Sequence, residues 1–575
     1  GRWDIRYAAS SATDPALASL STGGNAYNLT KVGSNFVGIV SATVDPNLAD
    51  INVLGGTLGV EGNTIGLGNP ANTLTVAAGA ALQLYNLTNQ VNKIVVLDGN
   101  GTNSTMINAS GANTILGPIT LNGTSVFSGN GTSLTLSGAI GGAGGLSKTS
   151  SGVLVLAGNN TYSGSTIVNT GMLAIVGMNA GGGLLTNASG STIVGTGTHS
   201  GPVFIAGTLN PGNINVAGAF SCGPLTLSSG GTLTLDLGAT TTPDGSVNDL
   251  MNVAGDLVLN NNSVAINLLQ GTLAPGSYRL INYSGNLVGS FNPAVALAVG
   301  GSSRYTLTLD TSTPQQVNLI VSGSPATVKW NSTADSTWDV ASTANWLNVG
   351  TGDTTVFAQA DSVLLDDTPG VQPNLTLGAI VVPSAVTVNS ALNNFSITGA
   401  GKISGATSII KQGASTLLLG TTNDFLGPVL VQGGILQVTN NSALGATNSG
   451  TIISSGATLD VCGAAANNTL NLGLEPVIVS GAGVSGIGAI INSSTTISQN
   501  AALRVVTLAD DTTFGGTGIS TVSSQPGRWD IRSPSTGDPS QSRLSTGGHA
   551  YKLTKVGPNQ ISLVGTSVDP ALGDI

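Results

Sequence analysis

Two stretches of this chain align with each other without a gap. Residues 146–176 read LSKTSSGVLVLAGNNTYSGSTIVNTGMLAIV, and residues 409–439 read IIKQGASTLLLGTTNDFLGPVLVQGGILQVT. Lys148 pairs with Lys411, Asn160 with Asn423, Tyr162 with Phe425, Gly164 with Gly427 and Gly171 with Gly434. Residues 29–60 form a slightly longer third version, with Lys31 and Gly56 in the corresponding places, and Lys555 begins a fourth. Four of the eight lysines therefore occupy one motif position. A segment this short holds only a few strands and cannot bury a core alone, so its copies must stack on neighbours.

Apolar and polar residues alternate with period two through most of the chain. NTLTV (Asn72 to Val76), ALQLYNLT (Ala81 to Thr88), GTLTLDLG (Gly231 to Gly238), RYTLTLD (Arg304 to Asp310) and STLLLG (Ser415 to Gly420) have strand length and are bounded by Gly, Asn or Ser. No amphipathic helical stretch competes with this pattern. Among 575 residues, 83 are Gly, 40 % are hydrophobic and only 7 % are charged, which excludes charge-rich disorder. Glycine does not recur at every third position, which excludes collagen. The expected fold is all-β: a long parallel β-helix in which each strand pairs with its counterpart one coil away. Inward Leu, Val, Ile and Ala would fill a thin core. Outward Thr, Ser and Asn would stack at ~4.8 Å without the repulsion that like charges would suffer. Coils of roughly 20–25 residues give on the order of 20–25 coils.

The chain also repeats itself at a longer distance. GRWDIR at Gly1 to Arg6 returns at Gly527 to Arg532, and residues 20–51 match residues 544–575 at 20 of 32 positions without a gap. The expected organisation is a solenoid module over 1–178, its continuation over 179–325, a second module over 326–526, and the start of a further tandem copy over 527–575. Trp3, Arg6, Trp529 and Arg532 are read as residues that stabilise the repeat junction, with each arginine able to pair with the nearby Asp4 or Asp530. On this reading the chain is one period, with overlap, of a longer array.

The net charge of −10 comes from few charges, and Lys plus Arg total only 16, so no basic stripe is available for nucleic acid. Neither a polybasic segment nor an apolar run of bilayer length is present. The first residue is Gly, so any export signal would lie outside this segment.

The order Leu, small residue, Lys, Gly, apolar strand, GNNTYSG, strand, GMLAI resembles the autotransporter-associated β-strand repeat. WNSTADSTWDVASTANW (Trp330 to Trp346), followed by GDTTVFAQADSVLLDD, is similar to the start of a module in such proteins. The resemblance implies a right-handed parallel β-helix from a giant secreted passenger-type protein, of a kind familiar from environmental bacteria such as the Verrucomicrobia and Planctomycetes.

Catalytic groupings are sparse. His549 stands where the first copy has Asn25, and His199 lies in GTGTHSGPV, which reads as a surface turn. The Asp pairs Asp366–Asp367 and Asp510–Asp511 sit at apparent strand ends, where Asp caps turns. Cys222 and Cys462 form no metal or redox spacing and read as small buried apolar residues. Trp330, Trp338 and Trp346 recur every eight residues; they could display an adhesive row or pack a module junction, and packing is the favoured reading. The expected function is a structural repeat unit of an extracellular bacterial fibre or surface filament, without catalysis, metal or cofactor. Its partners would be further copies of itself, tandem, head-to-tail or laterally bundled. An adhesin passenger binding surface glycans is the alternative, and a polysaccharide-degrading β-helix a more distant one.

Overall fold

The computed structural model describes residues 1–7, 14–332, 334–463, 470–518, 527–534 and 539–575. The expected boundary at 526/527 touches a stretch outside these residues. Among the described residues, the helical elements are three single 3-10 turns, at Pro15–Leu17, Val484–Gly486 and Pro539–Gln541. Everything else with regular structure is strand, and the fold is an all-β parallel solenoid.

The chain divides into two compact units. The first contains Gly1–Asn267, Gly276–Ala298 and Leu307–Val321; the second contains Leu268–Pro275, Val299–Thr306 and Ser322–Ile575.

In the first unit, a 13-stranded sheet runs from Arg2–Ile5 to Leu287–Val288, and a 9-stranded sheet from Ala112–Ile115 to Ala296–Leu297. Lateral neighbours are successive coils, so a core position is a column rather than a cluster. One column runs Leu29, Ile51, Leu74, Val95, Ile119, Ile140, each residue directly beside the next in parallel register. All but the first are buried. The positions beside them (Asn52, Thr75, Thr120) point outward and are half-buried, which is the alternation seen in sequence. Each fully buried aliphatic side chain contributes about 1.5–3 kcal/mol relative to exposure. Parallel stacking breaks at Gly276–Tyr283, which pairs antiparallel with the strand containing Gln316 to Val321.

In the second unit, one connected network of 20 strands extends from Thr327–Trp330 to Ser567–Val568. It begins irregularly. Val328–Trp330 pairs antiparallel with Trp346–Asn348 and parallel with Ser362–Asp366 on its other side. Beyond that, columns such as Val363, Val386, Ile409, Val429 resume the parallel pattern.

Candidate functional site

The lysine of the repeat sits at the end of a strand that also carries core residues. Lys148 ends Leu146–Lys148, and Lys411 lies within Ser408–Gln412; both side chains are fully buried. An ammonium has three donors and must satisfy them all when removed from water. Lys411 Nζ donates to the carbonyls of Gln412 (2.6 Å) and Gly413 (2.9 Å) on its own coil and of Gly433 (3.2 Å) on the next. Lys148 Nζ donates to the Ser150 carbonyl and, at 2.9 Å, to that of Thr170 one coil on. Lys31 repeats this with Val32, Gly33 and Gly55, at 3.1, 2.8 and 2.7 Å. Burial pushes the Lys148 and Lys411 ammonium groups down to about 8.

The glycine of the repeat belongs to the same device. Gly56, Gly171 and Gly434 have φ of +64°, +70° and +68°, and a Cβ there would lie 2.8, 2.7 and 2.6 Å from the Nζ of Lys31, Lys148 and Lys411. The Lys and the Gly recur together because the ammonium occupies the space that a side chain would take.

A second clip stands twelve residues further along the coil. Asn160 Oδ1 accepts from the Ile140 amide one coil back (2.9 Å), and its Nδ2 donates to Asn179 Oδ1 one coil ahead (2.6 Å). Asn423 does the same between Ile403 N (3.0 Å) and the Ala443 carbonyl (2.8 Å). Tyr162 and Phe425 fill the interior beside them. Each repeat thus fastens its coil to the next through the Lys and to both neighbours through the Asn. The arrangement fastens coils.

Trp330, Trp338 and Trp346 are all buried and form no exposed row. Antiparallel pairing sets Trp330 directly opposite Trp346. The rings meet edge-on at 4.9 Å, Trp338 meets Trp346 at 5.3 Å, and Phe357 closes the group at 5.5 Å from Trp338. Trp529 is also interior, in a T-shaped contact with Phe514 at 5.0 Å, and its indole N–H donates to the Gly515 carbonyl (2.9 Å). Trp3 is exposed. Arg532 lies 2.8 Å from Asp530, and Arg6 lies 3.9 Å from Asp4. The stronger partners are ones the sequence reading missed: Arg528 at 2.7 Å from Asp530, and Arg2 at 2.8 Å from Asp4. Their placement two residues before each Asp, the spacing that returns to the same side of an extended chain, was the available signal. Also missed was Arg304, whose two-pronged ion pair with the buried Asp361 (2.8 and 2.9 Å) joins Val299–Thr306 to the body of the second unit.

His199 departs from the expectation. It lies in the strand Thr198–His199 rather than in a surface turn, and its buried ring meets the Gly183 carbonyl at 2.8 Å through Nε2. Asp367 caps the next coil rather than its own turn, accepting from the amides of Ala391 and Leu392. Asp510 and Asp511 lie inside the strand Val505–Gly516, not at its end, and Asp511 accepts from Lys552 N at 2.7 Å. Cys222 is buried and Cys462 half-buried; both are free thiols. Among the described residues, no three His, Cys, Asp or Glu side chains gather as metal ligands, and no helix is long and apolar enough to cross a membrane.

A parallel β-solenoid fastened by these clips is the class that fold and site define. Residues 146–175 and 409–438 each match the family model described as passenger-associated-transport-repeat, so the chain carries autotransporter-associated β-repeats at the two places where the clips are complete. The adhesin BmaC autotransporter of Brucella suis biovar 1 (strain 1330) is 31 % identical to it over an alignment of 378 residues that covers 57 % of this chain. The chain spans only 11 % of that relative's length.

Proposed function

We propose that this chain is a scaffold region of a secreted passenger displayed at a bacterial surface, where its solenoid holds and presents adhesive surface. The observation that carries this reading is the pair of clips at residues 146–175 and 409–438: they coincide with the passenger-associated repeat and fasten successive coils. The role is mechanical, and no catalytic step is proposed. The similarity to an adhesin autotransporter supports a cell-surface location.

Fused between an export signal and an outer-membrane β-barrel, the chain should reach the cell surface and become accessible to external protease. Retention of a folded chain inside the cell would overturn the reading. A second reading, a filament of tandem copies, is favoured by the 20 identities in 32 positions between residues 20–51 and 544–575. In it, 1–178, 179–325 and 326–526 are segments of one period, and 527–575 opens the next. The indoles of Trp330, Trp338 and Trp346 then pack the start of the third segment.

A further inference from the structure

The first unit carries a groove of about 460 Å³, whose first lining coil, at Thr198, stacks on Met178 beside the Asn160–Asn179 clip. Four coils build it. Its polar wall is a register column: Thr198 stands beside Ser221, Ser221 beside Asn252, and Asn252 beside Asn282. Two residues further along the same coils, Gly223 and Ala254 line it with almost no side chain. Tyr283, largely buried, lines the far end, where the antiparallel strand places Gln316 opposite Asn282.

From this chemistry we infer that the groove binds an uncharged oligosaccharide lying along the stack of coils. No charged side chain lines it, so neither an anionic polymer nor a cationic peptide finds a counter-charge. Asn282 Nδ2 donates to Asn252 Oδ1 at 2.9 Å, which leaves the Asn252 amide hydrogens and the Asn282 carbonyl oxygen for a ligand. Hydroxyls on Thr198 and Ser221 extend the row. Such a ladder offers donors and acceptors at every strand spacing of ~4.8 Å, matching a ligand with hydroxyls along its length. A peptide adding as a strand is disfavoured, because Ala219–Cys222 is already paired in parallel on both sides. The inference rests on the adhesive-passenger reading and gives it a site, in place of the buried tryptophans.

The test uses the full chain on an array of neutral, sialylated and sulfated glycans. Neutral oligosaccharides should bind. Ala254→Trp fills the groove from an exposed position, and Asn252→Leu removes the amide at nearly constant volume; each should weaken binding by about tenfold or more, with an unchanged melting curve. Trp3→Ala, far from the groove in sequence, should bind as wild type. Binding confined to acidic glycans, no glycan binding at all, or neutral binding untouched by both groove variants would overturn the proposal. Protease accessibility of the same chains on cells separates the two ideas. A displayed chain that binds no neutral glycan sinks the groove alone, whereas a retained chain sinks the scaffold.

Discussion

The first and last fifty residues are close copies in sequence and opposites in environment. Trp529 is 0 % exposed and Trp3 is 56 % exposed. Trp529 stands in a strand with parallel neighbours on both sides, Gln499–Leu503 and Ile561–Val564, and Phe514 packs on its ring. Arg2–Ile5 has one parallel neighbour, Phe36–Val40. For the lysines the order reverses. Lys31 is buried by the coil carrying Gly55, whereas Lys555 is exposed and donates to Gly557 on its own coil. In a solenoid, therefore, the same residue is core or surface according to the coil stacked beside it.

The largest test of this contrast is truncation of the two indoles. Trp529→Ala should cost about 3–5 kcal/mol locally, and Trp3→Ala no more than about 0.5 kcal/mol. Hydrogen exchange should show the first variant losing protection at Gln499–Leu503, with the second unchanged at Phe36–Val40. Equal losses would break the comparison. Transplantation sharpens it: with a copy of residues 488–526 placed ahead of Gly1, Trp3 should become shielded from iodide quenching. A Trp3 still quenched would mean that the first copy has lost the capacity to pack as the second does.

The lysine clips come next in magnitude. Lys148→Met or Lys411→Met leaves buried carbonyls without a donor and should cost about 1–3 kcal/mol each, whereas Lys555→Met should cost a few tenths at most. The sign of the pH effect follows from the buried ammonium groups, held at about 8 against an ordinary 10.5. Between these values the unfolded chain keeps a proton that the folded chain has released, so stability rises with pH across the window. The gap in melting midpoint between wild type and the Lys148→Met, Lys411→Met double variant should widen from pH 8 to pH 10. A gap that narrows would show that the charge itself, rather than the amine's hydrogen bonds, holds the corner.

Much of the repeating body was legible because alternation and burial coincide. Leu233, Leu235 and Leu237 of GTLTLDLG all point inward, as period two requires. The Lys–Gly pairing was visible as a pattern, but its meaning needed the coil length that carries Gly434 back over Lys411. For the tryptophans packing was the favoured reading, but which rings meet was not legible. Their spacing of eight crosses an antiparallel excursion, so sequence distance no longer reports which face a residue takes. His199 was misread because GTGTHSG has turn composition, and the stack makes a two-residue strand of it. The groove could not be read at all: Ser221, Asn252 and Asn282 become neighbours only after coils of unequal length have closed.

The smallest effect concerns the arginines that follow the repeated tryptophans. Arg6 reaches Asp4 only at 3.9 Å and both are solvent-accessible, whereas Arg532 lies 2.8 Å from an Asp530 carboxylate with no exposure. An exposed pair contributes little, because water screens it and two long side chains must be ordered. Removing a partner from a buried carboxylate costs more, but Asp530 keeps Arg528 at 2.7 Å. Arg6→Gln should therefore shift stability by less than about 0.5 kcal/mol and Arg532→Gln by about 1 kcal/mol. Arg528→Gln combined with Arg532→Gln should exceed the sum of the single changes, since only the pair strips the carboxylate of compensation. Strict additivity in that double-mutant cycle would mean that Asp530 is satisfied without either guanidinium, and the two copies would then differ in packing alone.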